Sequence, residues 1–128
     1  MHALVVDDDP DMTAAIRIIL EQDGFEVETA IDGEEGLAKL RNSSFDLMIL
    51  DLFMPGKDGL EVLCSLQDDN TLPQIPIIAI SGGATHGTAN YGLMAARTLG
   101  AVKTLYKPFA KSELIAAARA LLPSVPSN

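Results

Sequence analysis

The sequence predicts an α/β fold in which helices lie on both faces of a doubly wound, five-stranded parallel sheet. Short apolar stretches alternate five times along the chain with stretches in which apolar residues recur at helical spacing. The central apolar stretches, of which residues 47–50 are the clearest, are too short for buried helices and lack polar alternation. Such strands are buried on both sides, so helical crossovers must cover both faces of the sheet. We expect the strand order 2-1-3-4-5, which is the flavodoxin-like arrangement.

The same patterns give approximate bounds for each element. Strands are expected at residues 3–6, 25–30, 45–51, 75–80 and 102–106. Helices are expected from residue 10 towards the glycine at 24, around 37–42, and at 60–66, 90–99 and 111–122. Asp9 followed by Pro10 predicts the N-cap and the first residue of the first helix.

Apolar spacing also predicts which side of each element faces the core. In the second strand, Phe25, Val27 and Thr29 alternate with a more exposed set that ends at Ala30, as in a strand at a sheet edge. The helix positions predicted to face the core are Ala14, Ala15, Ile18 and Ile19, then Leu37, Ala38 and Leu40, then Leu60, Leu63 and Cys64, and finally Leu114, Ile115, Ala118, Leu121 and Leu122.

Length and composition restrict the class of protein. The 128 residues suit one domain, expected to span residues 1–122 and to be followed by a flexible tail at 123–128. The formal net charge of −9 argues against nucleic acid and anionic membranes as partners, since both attract basic surfaces. No apolar run approaches the roughly 20 residues of a membrane span, and the amino terminus lacks a signal-peptide pattern. We therefore expect a cytoplasmic protein.

Polar side chains stand where the predicted strands end. Asp7 and Asp8 follow the first strand, Asp51 ends the third, Ser81 follows the fourth and Lys107 the fifth. Carboxyl ends of parallel strands share one edge, where open α/β sheets bind ligands, so these five side chains should converge. Crowded carboxylates repel one another unless a cation lies among them, and Mg²⁺ (or Mn²⁺) suits a set of oxygen ligands. One carboxylate could then attack phosphorus and form an acyl phosphate, whose oxygens the ammonium and the hydroxyl would contact.

Four strings of the sequence resemble the receiver domain of two-component response regulators. They are VVDDDP, MILDLFMPGKDG, IIAIS and KPF, in the order and spacing of that family. The resemblance implies a phosphoacceptor switch rather than an enzyme, in a single-domain protein of the chemotaxis-regulator type. Its phosphoryl donor would be a sensor histidine kinase or a histidine phosphotransfer protein, and a downstream protein would recognise its changed surface.

The resemblance further implies how the acceptor and the metal are arranged. Asp51 would be the phosphoacceptor, and Asp7 and Asp8 would hold Mg²⁺ together with it and with the backbone carbonyl of Phe53. Receivers tune the lifetime of the phosphoryl group two residues after the acceptor and two after the hydroxyl. These positions are Phe53 and Gly83, which offer no polar side chain to orient a water. We therefore expect slow self-dephosphorylation.

The resemblance implies a switch around the other two site residues. Ser81 would be the hydroxyl that moves to meet the phosphoryl group, Lys107 would pair with that group, and the Lys107–Pro108 bond would be cis. Receivers usually carry Tyr or Phe three residues before the lysine, where this chain has Thr104. Tyr106 is taken to lie on the opposite face of the strand, which places an aromatic switch in doubt.

Two other functions stay open on the sequence. A phosphatase of the haloacid dehalogenase type also uses a strand-end aspartate, but it requires a second one where Phe53 stands. A pseudo-receiver that no longer takes up phosphate would be consistent with Thr104. The segment after Ser81 is longer than in most receivers, with the extra length expected in a glycine-rich loop at 82–87 that would order on phosphorylation. His86 in this loop is expected to be solvent-exposed.

Overall fold

The fold is built on one parallel sheet, seen in a computed structural model that describes residues 1–54, 56–82, 94–101 and 103–122. The strand order β2-β1-β3-β4-β5 confirms the predicted fold class and topology. The strands are β1 (His2–Val6), β2 (Glu26–Ala30), β3 (Leu47–Asp51), β4 (Ile77–Gly82) and β5 (Lys103–Lys107). The helices are α1 (Pro10–Gln22), α2 (Gly33–Asn42), α3 (Gly59–Asp68), α4 (residues 94–98) and α5 (Lys111–Leu121).

Helices cover the sheet from both sides, and each side has its own hydrophobic cluster. Within β1, Ala3 and Val5 belong to one cluster, whereas Leu4 and Val6 belong to the other. The first cluster includes side chains of α1 and α5, and the second includes side chains of α2, α3 and α4. Burial on both faces explains why the central strands are apolar at every position.

Three strands begin later than the sequence pattern predicts, β2 by one residue and β3 and β4 by two. β4 begins at Ile77, because Pro76 has no N–H to donate to the sheet. β3 begins at Leu47, since Phe45 lies buried outside the ladder with its ring centroid 4.4 Å from that of the His2 imidazole. Phe45 is thus buried without joining the strand, so burial alone does not mark a strand boundary.

At their carboxyl ends, two strands run further than predicted. β4 includes Ser81 and Gly82, and β5 includes Lys107. The Lys107–Pro108 peptide bond is cis, as the family resemblance implies. Four predicted features lie outside the described residues: the glycine-rich loop after residue 82 with His86, the start of the fourth helix, the first residue of the fifth strand at 102, and the tail at 123–128.

The predicted core face of α1 was wrong. Of the four residues expected inside, Ile19 is half-buried, while Ala14, Ala15 and Ile18 are exposed. The fully buried side chains of the helix are Ile16 and Leu20, which lie one turn apart. Apolar residues occur on more than one side of this helix, so helical spacing alone fits two different faces.

Three further burial predictions need correction. Cys64 and Ala38 are exposed rather than in the core, and Ala30 is buried rather than exposed. Ala30 packs in the same cluster as Leu37 and Leu40 of α2, so this helix covers the face of β2 that was expected to be exposed. The predicted core positions in α2, α3 and α5 that are confirmed as buried are Leu37, Leu40, Leu63, Leu114 and Ala118, with Leu60, Ile115, Leu121 and Leu122 partly buried.

Aspartate N-caps begin the first three helices directly after the loops at the carboxyl edge of the sheet. Asp9 accepts a hydrogen bond from the Asp11 amide at 2.9 Å, which confirms the predicted cap. Asp32 caps α2, and Asp58 forms a reciprocal capping box with Glu61 at the start of α3. Among the described residues, none of the helices has the length and hydropathy of a membrane span.

Candidate functional site

Three carboxylates meet at the carboxyl edge of the sheet, as predicted. Asp51 ends β3, and Asp7 and Asp8 follow β1 on the adjacent strand. Asp7 and Asp51 are 0% and 4% exposed, respectively, whereas Asp8 is exposed. A carboxylate oxygen from each of the three lies within 4.8 Å of the other two. The cluster is therefore close enough for all three residues to bind one cation.

Lys107 reaches this cluster from the last position of β5. Its Nζ lies 2.8 Å from Asp7 Oδ2 and 3.5 Å from Asp51 Oδ2. Burial disfavours the charged ammonium, but the hydrogen bond to Asp7 and the charges of Asp51 and Asp7 outweigh it and raise the pKa of Lys107. The lysine is therefore a permanent cation that neutralises only part of the charge of three carboxylates.

The environment of Asp51 makes this carboxylate hard to ionise. Burial in the protein and the negative charge of Asp7 raise its pKa from 3.8 to about 6, against the opposing charge of Lys107 and a hydrogen bond from the Phe53 amide. The Phe53 nitrogen lies 3.3 Å from Asp51 Oδ1. A nearby cation would oppose this shift and lower the pKa of Asp51, since it stabilises the charged form.

Ser81 is fully buried near the end of β4, next to the acceptor strand. Among the described residues, its Oγ has no hydrogen-bond partner. A buried hydroxyl without a partner is costly, so it suits a role in which a ligand supplies the missing oxygen. The structure thus brings together four of the predicted side chains at one edge, with Ser81 on the strand beside them.

The sheet register corrects the prediction for Tyr106. Thr104 is the Cα partner of Ala79, and Tyr106 is the partner of Ser81. Residues two apart on a regular strand point to the same face, so Tyr106 shares the face of Thr104 and does not oppose it. The aromatic residue of this strand therefore lies beside the predicted switch hydroxyl, two residues nearer the carboxyl edge than the position that receivers usually use.

The residues present suit a magnesium ion. Three carboxylates supply the hard oxygen ligands that Mg²⁺ prefers, and the lysine leaves their combined charge negative. Asp7 Oδ1 also accepts a hydrogen bond from the Asp9 amide at 2.9 Å, which orients the carboxylate. Among the described residues, the cluster consists of Asp7, Asp8 and Asp51 and does not include Cys64.

Two glycines near the site pack more closely than the sequence predicts, and Gly59 does not have the positive φ that its place in the loop suggested. Gly59 packs against the backbone of Asp51, where a side chain would overlap the Asp51 carbonyl oxygen. Gly33 begins α2 in contact with the loop that follows β3. The close approach of Gly59 to the acceptor strand depends on the packing of α3, which the local sequence does not reveal.

The fold and site define a class of protein: a doubly wound α/β domain with an acidic cluster and a lysine at the carboxyl edge of its sheet. Residues 3–119 match the family model described as the response regulator receiver domain. The chain therefore belongs to this family of two-component signalling domains. Receiver domains are phosphoacceptor switches, and phosphorylation on aspartate and binding of Mg²⁺ are typical of them.

Curated relatives include longer regulators. Transcriptional regulatory protein CpxR of Escherichia coli (strain K12) is 39% identical over 119 residues, which cover 93% of this chain and 48% of CpxR. Transcriptional regulatory protein PrrA of Mycobacterium tuberculosis is 39% identical over 122 residues, which cover 94% of this chain and 49% of PrrA. The chain thus spans about half the length of these relatives.

Solved structures of similar size share the fold. Chemotaxis protein CheY4 of Vibrio cholerae superposes with a TM-score of 0.82 at 30% identity, covering 94% of this chain and 98% of CheY4. A signal receiver domain from Bermanella marisrubri gives a TM-score of 0.83 at 37% identity, covering 94% and 96% of the two chains. The predicted family and fold are therefore confirmed.

Proposed function

We propose that this receiver domain takes a phosphoryl group onto Asp51 in a Mg²⁺-dependent reaction and signals to a protein partner through a changed surface. The observation that carries the proposal is the position of Asp51, which is 4% exposed and lies within 4.8 Å of the Asp7 and Asp8 ligand atoms. Lys107 Nζ lies 3.5 Å from its Oδ2. Such a carboxylate is poorly solvated, negatively charged and close to a cationic group that can meet an incoming phosphate.

The proposed reaction is an in-line displacement at phosphorus. One Asp51 oxygen forms a bond to phosphorus as the bond from phosphorus to the donor's histidine nitrogen or acyl oxygen breaks, and the leaving atom keeps the electron pair. When bound, Mg²⁺ neutralises charge on the carboxylates and on the transferring phosphoryl group. Asp7, Asp8, Asp51 and the carbonyl of Phe53 are the residues that would hold it.

Lys107 and Ser81 would stabilise the product. The ammonium would pair with one phosphoryl oxygen, and the buried Ser81 hydroxyl would donate a hydrogen bond to another. That donation would satisfy an Oγ that has no partner among the described residues. The new charge at Asp51 would thus pull on β4 and bias the protein between two states.

The surface change would involve the end of β4, α4 and β5. Thr104 occupies the position at which receivers usually relay the change through an aromatic ring, while Tyr106 lies in register with Ser81. The donor would be a sensor histidine kinase or a histidine phosphotransfer protein, in line with the response regulators to which this chain is similar. The single-domain organisation and the absence of nucleic-acid and membrane partners stay predictions, as does a cytoplasmic location.

Intact mass after incubation with acetyl phosphate tests the proposed function. The wild-type chain should gain a single phosphoryl adduct with Mg²⁺ and none with EDTA, whereas Asp51→Asn should gain none in either. No adduct on the wild type would favour a pseudo-receiver. Steady release of inorganic phosphate without an adduct would favour a phosphatase. An adduct on Asp51→Asn would show that another residue is the acceptor.

We also expect the adduct to decay slowly. Phe53 is two residues after the acceptor, is 43% exposed, and has no side-chain polar group to orient an attacking water. Phe53→Asn should shorten the phosphoryl lifetime severalfold, since an amide can hold a water near phosphorus. The lifetime is measured by mass spectrometry after removal of acetyl phosphate, with Phe53→Leu as the apolar control. Equal lifetimes in the two variants would contradict this explanation.

A further inference from the structure

The loop between β3 and α3 is joined directly to the acceptor carboxylate. Its base is closed by a hydrogen bond from the Gly59 amide to the Leu52 carbonyl at 3.1 Å. Within the loop, the Phe53 amide donates to Asp51 Oδ1 at 3.3 Å. A displacement of this loop would therefore move a hydrogen-bond donor of Asp51, together with the Phe53 carbonyl that is proposed to bind Mg²⁺.

The far side of the same loop rests on the first turn of α2. The Gly33 amide donates to the Lys57 carbonyl at 3.1 Å. A Cβ on Gly33 would lie 2.5 Å from that carbonyl oxygen and 2.7 Å from Val62 Cγ2. The Lys57 oxygen belongs to the backbone and cannot rotate away, so any larger residue at position 33 must push the loop, α2 or both.

The ion pair at this contact is too weak to hold the loop. Lys57 Nζ lies 3.9 Å from Glu34 Oε1, and the Glu34 side chain is 77% exposed. Exposed pairs of this kind contribute little, because water and salt screen them. The backbone contact at Gly33 is therefore the stronger attachment, and the start of α2 that carries it is fixed by the Asp32 cap, which accepts from the Glu35 amide at 2.9 Å.

We propose that Gly33 is a positioning residue: by seating the β3–α3 loop on the start of α2, it sets the affinity of the acidic cluster for Mg²⁺ and the rate of phosphoryl uptake by Asp51. This inference rests on the proposed function. Gly33 itself is not part of the carboxylate cluster, and its nearest neighbours are Lys57 and Val62. Its effect passes through Lys57 and the loop to Phe53 and Asp51.

Gly33→Ala tests the inference, with Ala38→Gly as the matched control. Ala38 is exposed in the same helix, so glycine there weakens α2 without touching the loop. Calorimetric titration with Mg²⁺ gives the Kd, NMR gives the shift of the Phe53 amide, and intact mass gives the rate of adduct formation. Gly33→Ala should raise the Kd by about tenfold, as for the loss of a group that supports a metal ligand, and should slow uptake. Ala38→Gly should change neither.

Each outcome decides the matter. A wild-type Kd, uptake rate and Phe53 shift in Gly33→Ala would overturn the inference, as would an equal loss of Mg²⁺ affinity in Ala38→Gly. If Gly33→Ala does not fold, Asp32→Ala and Asp32→Asn are used in its place. Both remove the charge of Asp32, but asparagine can still cap α2 and alanine cannot. A raised Kd in the alanine variant alone supports the inference, and equal values oppose it. A wild-type protein that neither binds Mg²⁺ nor gains an adduct refutes the proposed function itself.

Discussion

Asp51 is held in an unfavourable state by its neighbours. Burial removes water from the carboxylate, the negative charge of Asp7 repels it, and Lys107 at 3.5 Å compensates only in part. The result is a carboxyl group with a pKa of about 6, which takes up a proton under mildly acidic conditions. A cation that binds the ionised carboxylate must therefore displace a proton once the pH falls below this value.

Mg²⁺ affinity should depend on pH through Asp51. Above about pH 6 the carboxylate is already ionised, so the Kd should be nearly constant. Below it, each unit of pH should raise the Kd by up to about tenfold, because one proton competes with the cation. Calorimetric titrations between about pH 5 and about pH 8, in buffers of different ionisation enthalpy, would measure both the Kd and the proton released. A Kd that stays flat down to about pH 5 would contradict the raised pKa of Asp51.

At the scale of single elements, the packing partner of a helix determines which of its faces is buried. α1 buries Ile16 and Leu20 against the cluster that also contains Leu114 and Ala118 of α5. Ile18 of the same helix is 56% exposed. Since both stripes are apolar, sequence spacing does not choose between them, and the position of α5 beside α1 decides.

A pair of substitutions in α1 tests this assignment. Ile16→Ala should lower the free energy of unfolding by about 2 to 5 kcal/mol, because it leaves a cavity in a close-packed cluster. Ile18→Ala, which makes the same chemical change on the exposed side, should stay within about 0.5 kcal/mol of the wild type. Urea unfolding followed by circular dichroism measures both. A larger loss for Ile18→Ala would show that the predicted face, rather than the observed one, is buried.

At the scale of the whole molecule, parallel topology gathers residues that are remote in sequence. The hydrogen bond from Lys107 to Asp7 joins positions 100 residues apart. The same convergence places two nearly dehydrated carboxylates side by side, which costs stability wherever both are charged. The site is thus a strained region of an otherwise apolar and well-packed core.

Removing the charge of Asp51 should stabilise the metal-free protein. The folded-state pKa of about 6 lies above the ordinary value of 3.8, so the folded chain holds the proton more tightly than the unfolded chain. Below about pH 4 the protonated group contributes its whole stabilisation, and this contribution is lost as the pH rises through about 6. At about pH 7 in EDTA, Asp51→Asn should therefore have a free energy of unfolding about 2 to 3 kcal/mol higher than the wild type, measured by urea unfolding.

Changing the pH and adding Mg²⁺ provide two controls for the stability of Asp51→Asn. The advantage of Asp51→Asn should shrink as the pH falls towards about 5, since the wild-type carboxyl group then becomes neutral too. Mg²⁺ should stabilise the wild type more than the variant, because a ligand stabilises the form that binds it. If Asp51→Asn is less stable than the wild type in EDTA at about pH 7, the account of Asp51 as a strained carboxylate is wrong.

Most of the fold and the membership of the site could be predicted from the sequence. Apolar runs and helical spacing gave all five strands and the strand order, and polar residues at strand ends gave Asp7, Asp8, Asp51, Ser81 and Lys107. The relation between Thr104 and Tyr106 was also accessible, since residues two apart on a strand share a face. The roles of these residues stay predictions that the proposed experiments address.

The sequence by itself determined the kind and order of the elements, because hydrophobic period and turn chemistry are local properties of the chain. Tertiary structure alone decided which side of α1 is buried, why Cys64 is exposed and Ala30 is not, and how closely Gly33 approaches Lys57. Each of these depends on which surface packs opposite the residue. That surface comes from a distant part of the chain, and no local pattern encodes it.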